Sequence, residues 1–297
     1  MRSLFRLPHE ALVEKDWFVV KALAAIAAAD TGPFRLVFGG GTALSRAHGL
    51  IRRMSEDIDL KIVGKTESRK ALRRLRESIT TALLGAGFEF DPENEDHRLS
   101  LHRYRYTLYQ LPYAPIAKGE GALRPSIKIE TSMWPLRRPS VARPITSFIA
   151  EAFKRPPELP TIACAAIGEI AAEKFDGLTR RAGAELAGLR TDRDVTLVRH
   201  VHDLHVIREH HDAADFVVLA REIMLADAST RGDEFPAYRD NPLAETLRAV
   251  DGIAADADFA GHYATFLRDM VYGDAPDFET AIATLKALAE PLKKAQT

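Results

Sequence analysis

Two aspartates and a strand-like pattern occur together in Ser55-Glu56-Asp57-Ile58-Asp59-Leu60-Lys61-Ile62. From Asp57 onward polar and apolar residues alternate, which predicts a half-buried strand. Residues two apart on a strand point to the same face of the sheet. Asp57 and Asp59 therefore share one face, while the apolar residues between and after them enter the core from the other.

A glycine turn precedes this strand. Arg35-Leu36-Val37-Phe38 predicts a short strand that Gly39-Gly40-Gly41 interrupts. Thr42 is then placed to cap a short helix ending at His48. Glycines at such a turn let the backbone approach a ligand closely, and N–H groups at a helix start suit phosphate. The alternative is a tight turn without a ligand, since the spacing is neither that of a P-loop nor that of a dinucleotide site.

The two aspartates predict a metal site. Neighbouring carboxylates repel each other unless positive charge lies between them, and Mg²⁺ (or Mn²⁺) takes carboxylate oxygens while keeping substrate phosphates as partners. A third acid lies in Ser126-Ile127-Lys128-Ile129-Glu130, whose alternation places Lys128 and Glu130 on one face of another strand. Glu130 is expected beside Asp57 and Asp59. The alternatives are a solvated polar face for the aspartates and a surface pair for Lys128 and Glu130.

These motifs, in this order, resemble the AbiEii-type nucleotidyltransferase toxins of the DNA polymerase β-like superfamily. The resemblance is carried by the following segments: Gly40-Gly41-Thr42-Ala43-Leu44, Arg53-Met54-Ser55-Glu56-Asp57-Ile58-Asp59-Leu60, Glu14-Lys15-Asp16, Ala172-Glu173-Lys174-Phe175-Asp176-Gly177-Leu178 and Arg199-His200-Val201-His202-Asp203-Leu204. The last segment departs from the family pattern, because His202 stands where the first acid of a pair is more common. The final third of the chain carries no matching motif.

The resemblance implies an enzyme that moves a nucleoside monophosphate from an NTP to an acceptor and releases pyrophosphate. Asp57 and Asp59 would hold the metal, and Lys174 and Asp203 would complete the site. The expected catalytic residues are Asp57, Asp59, Glu130, Lys174 and Asp203, and the expected nucleotide contacts are Gly40, Gly41, Thr42, Ser55 and Lys174. Family members are commonly toxins paired with an antitoxin from an adjacent gene. Those with a known acceptor add nucleotides to tRNA 3′ ends and so block translation.

Lys174, Ser55 and a group of histidines can be considered on their own positions. Lys174 lies on the apolar stripe of a predicted helix, so it must meet an anion such as a triphosphate, pair with a carboxylate such as Asp203, or extend to solvent. Ser55 faces the same way as the aspartates and is either a phosphate contact or a turn residue. Five histidines between His200 and His211 predict a solvated helix face rather than a zinc site.

Periodicity predicts an α+β fold. A nucleotidyltransferase domain with a small mixed sheet is expected over residues 1–150, with strands near 35–38, 57–62, 86–90, 98–111 and 126–133. Prolines between residues 135 and 160 predict a linker. An all-α domain over residues 151–297 is expected to complete the active-site cleft.

Composition limits the class of protein. The 297 residues carry a net charge of -1, so no global field attracts nucleic acid, although basic residues cluster at 69–76. The single cysteine excludes an internal disulfide, and without a leader or a membrane span we expect a cytoplasmic protein. The rival functions are transfer to a protein or small-molecule acceptor, a kinase-like reaction with other regiochemistry, and an inactive nucleotide-binding module.

Overall fold

The computed structural model describes residues 2–65, 68–116 and 125–294. The chain divides into two compact units, Met1–Ala166 and Ile167–Thr297. The strands of the first unit are β1 (Arg35–Gly39), β2 (Asp57–Val63), β3 (Arg98–Leu101), β4 (Tyr106–Pro112), β5 (Ser126–Ser132), β6 (Val141–Ile145) and β7 (Leu159–Cys164). Its helices are α1 (Arg2–Phe5), α2 (Ala11–Ala27), α3 (Gly40–Thr42), α4 (Arg69–Gly85) and α5 (Phe148–Ala152), and α3 continues into a π-helical turn, Ala43–Ala47.

The strands form one mixed sheet in the order β3-β4-β5-β2-β1-β7-β6. β2 pairs with β5 in parallel and with β1 in antiparallel fashion. β2 therefore lies at the centre of the sheet, which explains why its apolar face is fully buried. Ile58, Leu60 and Ile62 are at most 3% exposed.

Helices α2 and α4 cover the apolar face of this sheet. Their apolar stripes are buried, with Leu23 and Ile26 of α2 and Leu83 of α4 inaccessible to solvent or nearly so. On the same face the Tyr109 hydroxyl donates to the Arg76 carbonyl of α4 over 3.0 Å. The two aspartates of β2 point to the opposite face, as alternation requires.

The region between residues 135 and 160 is not a linker. β6, α5 and β7 lie there, and β7 pairs with β1 through Phe38 and Cys164. Proline is tolerated because β6 is an edge strand whose register shifts between Arg143 and Ile145, around Pro144. The first unit consequently ends at residue 166 instead of residue 150.

Two other strand predictions need correction. Residues 86–90 form a loop instead of a strand, and the loop buries the side chains of Phe88 and Phe90. The run 98–111 is two strands, β3 and β4, separated by a tight turn at His102–Tyr104.

The second unit is built from helices: α6 (Ile167–Leu186), α7 (Val198–Ile207), α8 (Ala213–Arg231), α9 (Pro236–Asp240), α10 (Pro242–Ala255), α11 (Ala257–Met270) and α12 (Phe278–Lys294). The α+β class with a helical C-terminal region is thereby confirmed. Among the described residues, no helix is both long and apolar enough to cross a membrane.

Candidate active site

The register between β2 and β5 brings three acidic side chains together. Asp59 is the direct partner of Glu130, and Asp57 is the partner of Lys128. Neighbouring strands lie about 4.8 Å apart, so the side chains on this face are within reach of one another. All four are half-buried. The expectation that Glu130 lies beside the aspartates agrees with this register.

Lys128 and Tyr106 organise the acidic face. The Lys128 ammonium pairs with one carboxylate oxygen of Glu130, and the Tyr106 hydroxyl donates to the other over 3.1 Å. Burial lowers the pKa of Lys128, but its contact with Glu130 and the charges of Asp57 and Asp59 outweigh burial and raise that pKa overall. Burial and the same three carboxylates raise the pKa of Tyr106. All three acids therefore act on one small region.

The glycine turn lies against the Asp59 carboxylate. Gly40 has a φ of +68°, and a Cβ atom built there would lie 1.9 Å from Oδ2 of Asp59. A Cβ on Gly41 would lie 2.5 Å from the Arg53 guanidinium and 2.9 Å from the Ser55 hydroxyl. Only glycine permits this approach, so the turn and the aspartate form one site.

Thr42 is not a helix cap. The helix begins at Gly40, and Thr42 is its third residue, almost fully buried. The Thr42 hydroxyl donates to the Asp57 carbonyl and lies 2.8 Å from the Ser55 hydroxyl. These contacts fix the glycine turn to the start of β2.

A buried lysine pairs with Glu56, the residue just before β2. Lys15 of α2 is 1% exposed and lies 3.2 Å from a Glu56 carboxylate oxygen. Its ammonium also donates to the Ser126 carbonyl at the start of β5. One cation therefore joins α2 to the first residues of both strands that carry the acids.

The remaining predicted residues lie in the second unit and contact each other. The Lys174 ammonium of α6 is 2.8 Å from Asp203 of α7, and both residues are buried. His202 lies 3.2 Å from the other Asp203 oxygen. The structure thus shows the pairing that was one of the alternatives for Lys174. His202 is buried too, so the prediction of a solvated histidine face is wrong at this position.

A family model described as "Nucleotidyl transferase AbiEii toxin, Type IV TA system" matches residues 21–284. The chain belongs to the AbiEii nucleotidyltransferase toxin family. Among solved structures it is similar to MenT4, a nucleotidyltransferase toxin from Mycobacterium tuberculosis, with a TM-score of 0.51 and 18% identity. That match covers 95% of this chain and 93% of the other. A comparison with curated proteins finds no match.

The acidic face of this AbiEii toxin fits a divalent metal through two carboxylates. Among the residues that the structure describes, no three histidine, cysteine, aspartate or glutamate side chains form a metal-binding group. Glu130 is engaged by Lys128 and Tyr106. Asp57 and Asp59 lie on one face of β2 and are the two carboxylates that fit a shared ion. Two carboxylates suffice for Mg²⁺, because it characteristically takes one or two from the protein and the rest from phosphates and water.

Lys128 was expected on the same face as Glu130, and the structure shows the two side chains paired. The sequence did not single out Tyr106, although alternation along its strand places it on this face. Arg53 entered only as part of a motif that resembles the family, yet it is buried and its guanidinium lies against Gly41. No local pattern indicates that approach, because it depends on how the 43–54 segment folds back.

Proposed function

We propose that this AbiEii toxin transfers a nucleoside monophosphate from an NTP to the 3′ end of tRNA, with a divalent metal, and so blocks translation. The observation that carries the proposal is the contact of the Asp59 carboxylate with the Gly40 turn, with Asp57 on the same strand face. The glycine turn, which suits phosphate binding, and the carboxylate pair, which suits metal binding, are therefore next to each other.

The nucleotide is held, in this proposal, by the turn and the groups around it. Backbone N–H groups of Gly40, Gly41 and Thr42 face the phosphates, since a helix start favours anions. The Ser55 hydroxyl and the buried Arg53 guanidinium lie against Gly41 and can contact the same phosphates. On the family resemblance we also retain Lys174 and Asp203 as proposed catalytic residues; within the second unit, Asp203 lies 2.8 Å from the Lys174 ammonium.

Asp57 and Asp59 would hold Mg²⁺ or Mn²⁺. Such an ion, when bound, neutralises the charge that develops on the phosphates during an in-line displacement. Lys128 and Tyr106 fix the Glu130 side chain beside Asp59. Glu130 is consequently proposed as a residue that keeps the acidic face in place.

The reaction is a displacement at the α-phosphorus. The acceptor hydroxyl oxygen forms the new bond to phosphorus, the bond to the β-phosphate oxygen breaks, and pyrophosphate leaves with that electron pair. The hydroxyl proton needs a carboxylate. We propose that the Asp59 carboxylate, which lies against the glycine turn, accepts this proton. Most of the rate comes from positioning and charge stabilisation.

Membership of a type IV toxin–antitoxin family implies an antitoxin partner and an NTP substrate. We propose that the antitoxin is encoded by an adjacent gene and that the toxin acts in the cytoplasm, where tRNA and NTPs meet. Co-expression with the adjacent open reading frame is expected to restore growth that this chain alone arrests. Continued growth arrest would contradict the antitoxin assignment.

The experiment that tests the transfer is labelling. Purified protein, Mg²⁺, total tRNA and each α-³²P-labelled NTP are incubated, beside an Asp57→Asn variant and an exposed control, Asp251→Asn. Label is expected on tRNA, at least about a hundredfold slower in Asp57→Asn and unchanged in the control. Label on protein or on a small molecule but not on RNA would replace the tRNA assignment by one of those acceptors.

A further inference from the structure

Exposed basic side chains from two elements form one surface in the first unit. Helix α4 contributes four exposed cations, and the turn between β3 and β4 contributes three basic residues. We call this surface the basic ridge; its members are Arg69, Lys70, Arg73, Arg74, His102, Arg103 and Arg105. The two elements are joined by Tyr104, whose ring lies 5.7 Å from the Arg69 guanidinium and 4.6 Å from that of Arg76.

Much of the charge on the ridge is not neutralised by the residues that the structure describes. In the described part of the chain, the acid next to it on α4, Glu77, pairs with Arg76 and Arg98, which lie outside the ridge. Lys70, Arg73 and Arg74 form no ion pair with any described residue. Exposed cations at this density repel one another unless an anion lies over them.

The turn is held in an unfavourable backbone conformation. His102, Arg103 and Tyr104 have φ values of +51°, +59° and +69°. Each costs about 1 kcal/mol or more for a residue other than glycine, and such strain clusters at functional sites. The cation–π contacts of Tyr104 offset part of that cost, and the result is that Arg103 and Arg105 are displayed beside α4.

Only the turn end of the ridge lies near the acidic face. Arg105 directly precedes Tyr106, whose hydroxyl donates to Glu130. On β5, Tyr106 pairs with Ser132, two residues or about 7 Å beyond the partner of Asp59. α4 itself covers the apolar face of the sheet. The ridge therefore extends from the turn near the acidic face to α4 on the other face of the sheet. Such an extended surface suits a polymer better than a triphosphate.

We propose that the basic ridge binds the phosphate backbone of the RNA acceptor while its 3′ end reaches the carboxylates. This rests on the proposed function and adds where the acceptor docks. A phosphate backbone is favoured over a small acceptor because the cations are spread over two elements. Lysine and arginine contacts to phosphate release counterions, so binding depends steeply on salt.

The test removes three ridge charges that form no ion pair with any described residue. Lys70→Gln/Arg73→Gln/Arg74→Gln keeps good helix formers and leaves Arg69 on Tyr104. The control, Arg190→Gln/Arg248→Gln/Arg268→Gln, removes the same charge from exposed positions elsewhere. Binding of fluorescein-labelled tRNA is measured without NTP at several salt concentrations. KM and kcat are then measured for tRNA and for NTP.

The ridge variant is expected to bind tRNA about tenfold more weakly, with a salt slope smaller by about 2, while kcat and the KM for NTP stay unchanged. An unchanged KM for tRNA and salt slope would overturn the ridge and leave the proposed function intact. Wild-type protein that binds tRNA through the ridge but labels none of it would support the ridge and overturn the function. Normal tRNA binding with lost binding of an acidic antitoxin would assign the surface to that protein instead.

Discussion

Gly40 has no side chain, and its absence leaves room for Asp59. The sequence indicated that the glycines allow a close approach, with phosphate as the expected neighbour. In the structure the group that approaches Gly40 is the carboxylate of the chain itself. A glycine pattern predicts that something comes close, but it cannot name the neighbour, because the neighbour comes from a different strand.

Gly40→Ala tests this contact. The new methyl group would overlap Asp59 Oδ2 at a φ of +68°, so we expect a loss of about 1–3 kcal/mol in unfolding free energy and at least a tenfold loss of transfer activity. Gly32→Ala is the matched control, because Gly32 also has a positive φ, +55°, but no atom within 4 Å. Urea unfolding and labelling rates measure both. Equal loss of activity in the two variants would mean that backbone strain alone is responsible.

Lys128 is the cation that faces the acids, and its removal should change the pH dependence of activity. The carboxylates raise the pKa of Lys128, so its ammonium stays charged beside them. A positive charge next to a carboxylate favours the charged form. In Lys128→Gln the acidic limb of the pH–activity profile is expected to move to higher pH. A profile of unchanged shape and lower height would show that Lys128 only supports the fold. Tyr106→Phe separates the two roles, because it frees one Glu130 oxygen without removing charge.

Strands in which polar and apolar residues alternate clearly could be predicted from the sequence. Strands that form only because of their pairing in the folded sheet could not. β2 and β5 were predicted because apolar and polar residues alternate along each. β6 and β7 were missed because proline normally interrupts a strand, and only pairing at a sheet edge makes it acceptable. Residues 86–90 looked like a strand because Phe88 and Phe90 alternate, yet both are buried from a loop.

Lys15 connects α2 to β2 and β5 through its contacts with Glu56 and the Ser126 carbonyl. Lys15→Met removes the partner of Glu56, and a nearly buried charge left alone is expected to cost about 2–3 kcal/mol of unfolding free energy. The double variant Lys15→Met/Glu56→Gln should lose less than the sum of the single variants. Chemical unfolding of all four proteins completes the cycle. Strict additivity would show that the ion pair contributes nothing to this connection.

At the scale of the whole molecule, the second unit holds a buried acid pair unrelated to the proposed chemistry. Asp176 of α6 accepts a hydrogen bond from Tyr238 over 2.6 Å, and Asp227 of α8 pairs with Arg180 over 3.1 Å. Burial, and then the nearby Asp227 charge, raise the pKa of Asp176 to about 7. Between pH 4 and pH 7 the folded protein therefore keeps a proton on Asp176. The unfolded chain has released that proton, because the ordinary pKa of an aspartate is 3.8.

This pair predicts how stability depends on pH. Because the folded state binds the extra proton, the unfolding free energy is expected to fall as pH rises from about 4 to about 7 and to level off above. Asp176→Asn, which keeps the acceptor for Tyr238, should flatten that slope. Thermal unfolding between pH 5 and pH 8 provides the measurement. An identical slope in the variant would locate the dependence in other groups.

The candidate site was predictable as far as its motifs are local. Asp57 and Asp59 follow from one strand, and Glu130 follows from the matching alternation of another. The contacts of Lys128 and Tyr106 with Glu130, and of Lys15 with Glu56, depend on strand register and helix packing. No single segment of sequence encodes these contacts, which is why they appear only in the folded chain.

The most direct test of nucleotidyl transfer compares two labels on the same NTP. Parallel reactions with tRNA receive α-³²P-labelled or γ-³²P-labelled NTP, each with wild-type protein and Asp57→Asn. We expect α-label on tRNA and γ-label in pyrophosphate, in equal amounts, with both lost in the variant. γ-label on tRNA would contradict it and identify phosphoryl transfer, and α-label that persists in Asp57→Asn would remove the carboxylate pair from the mechanism.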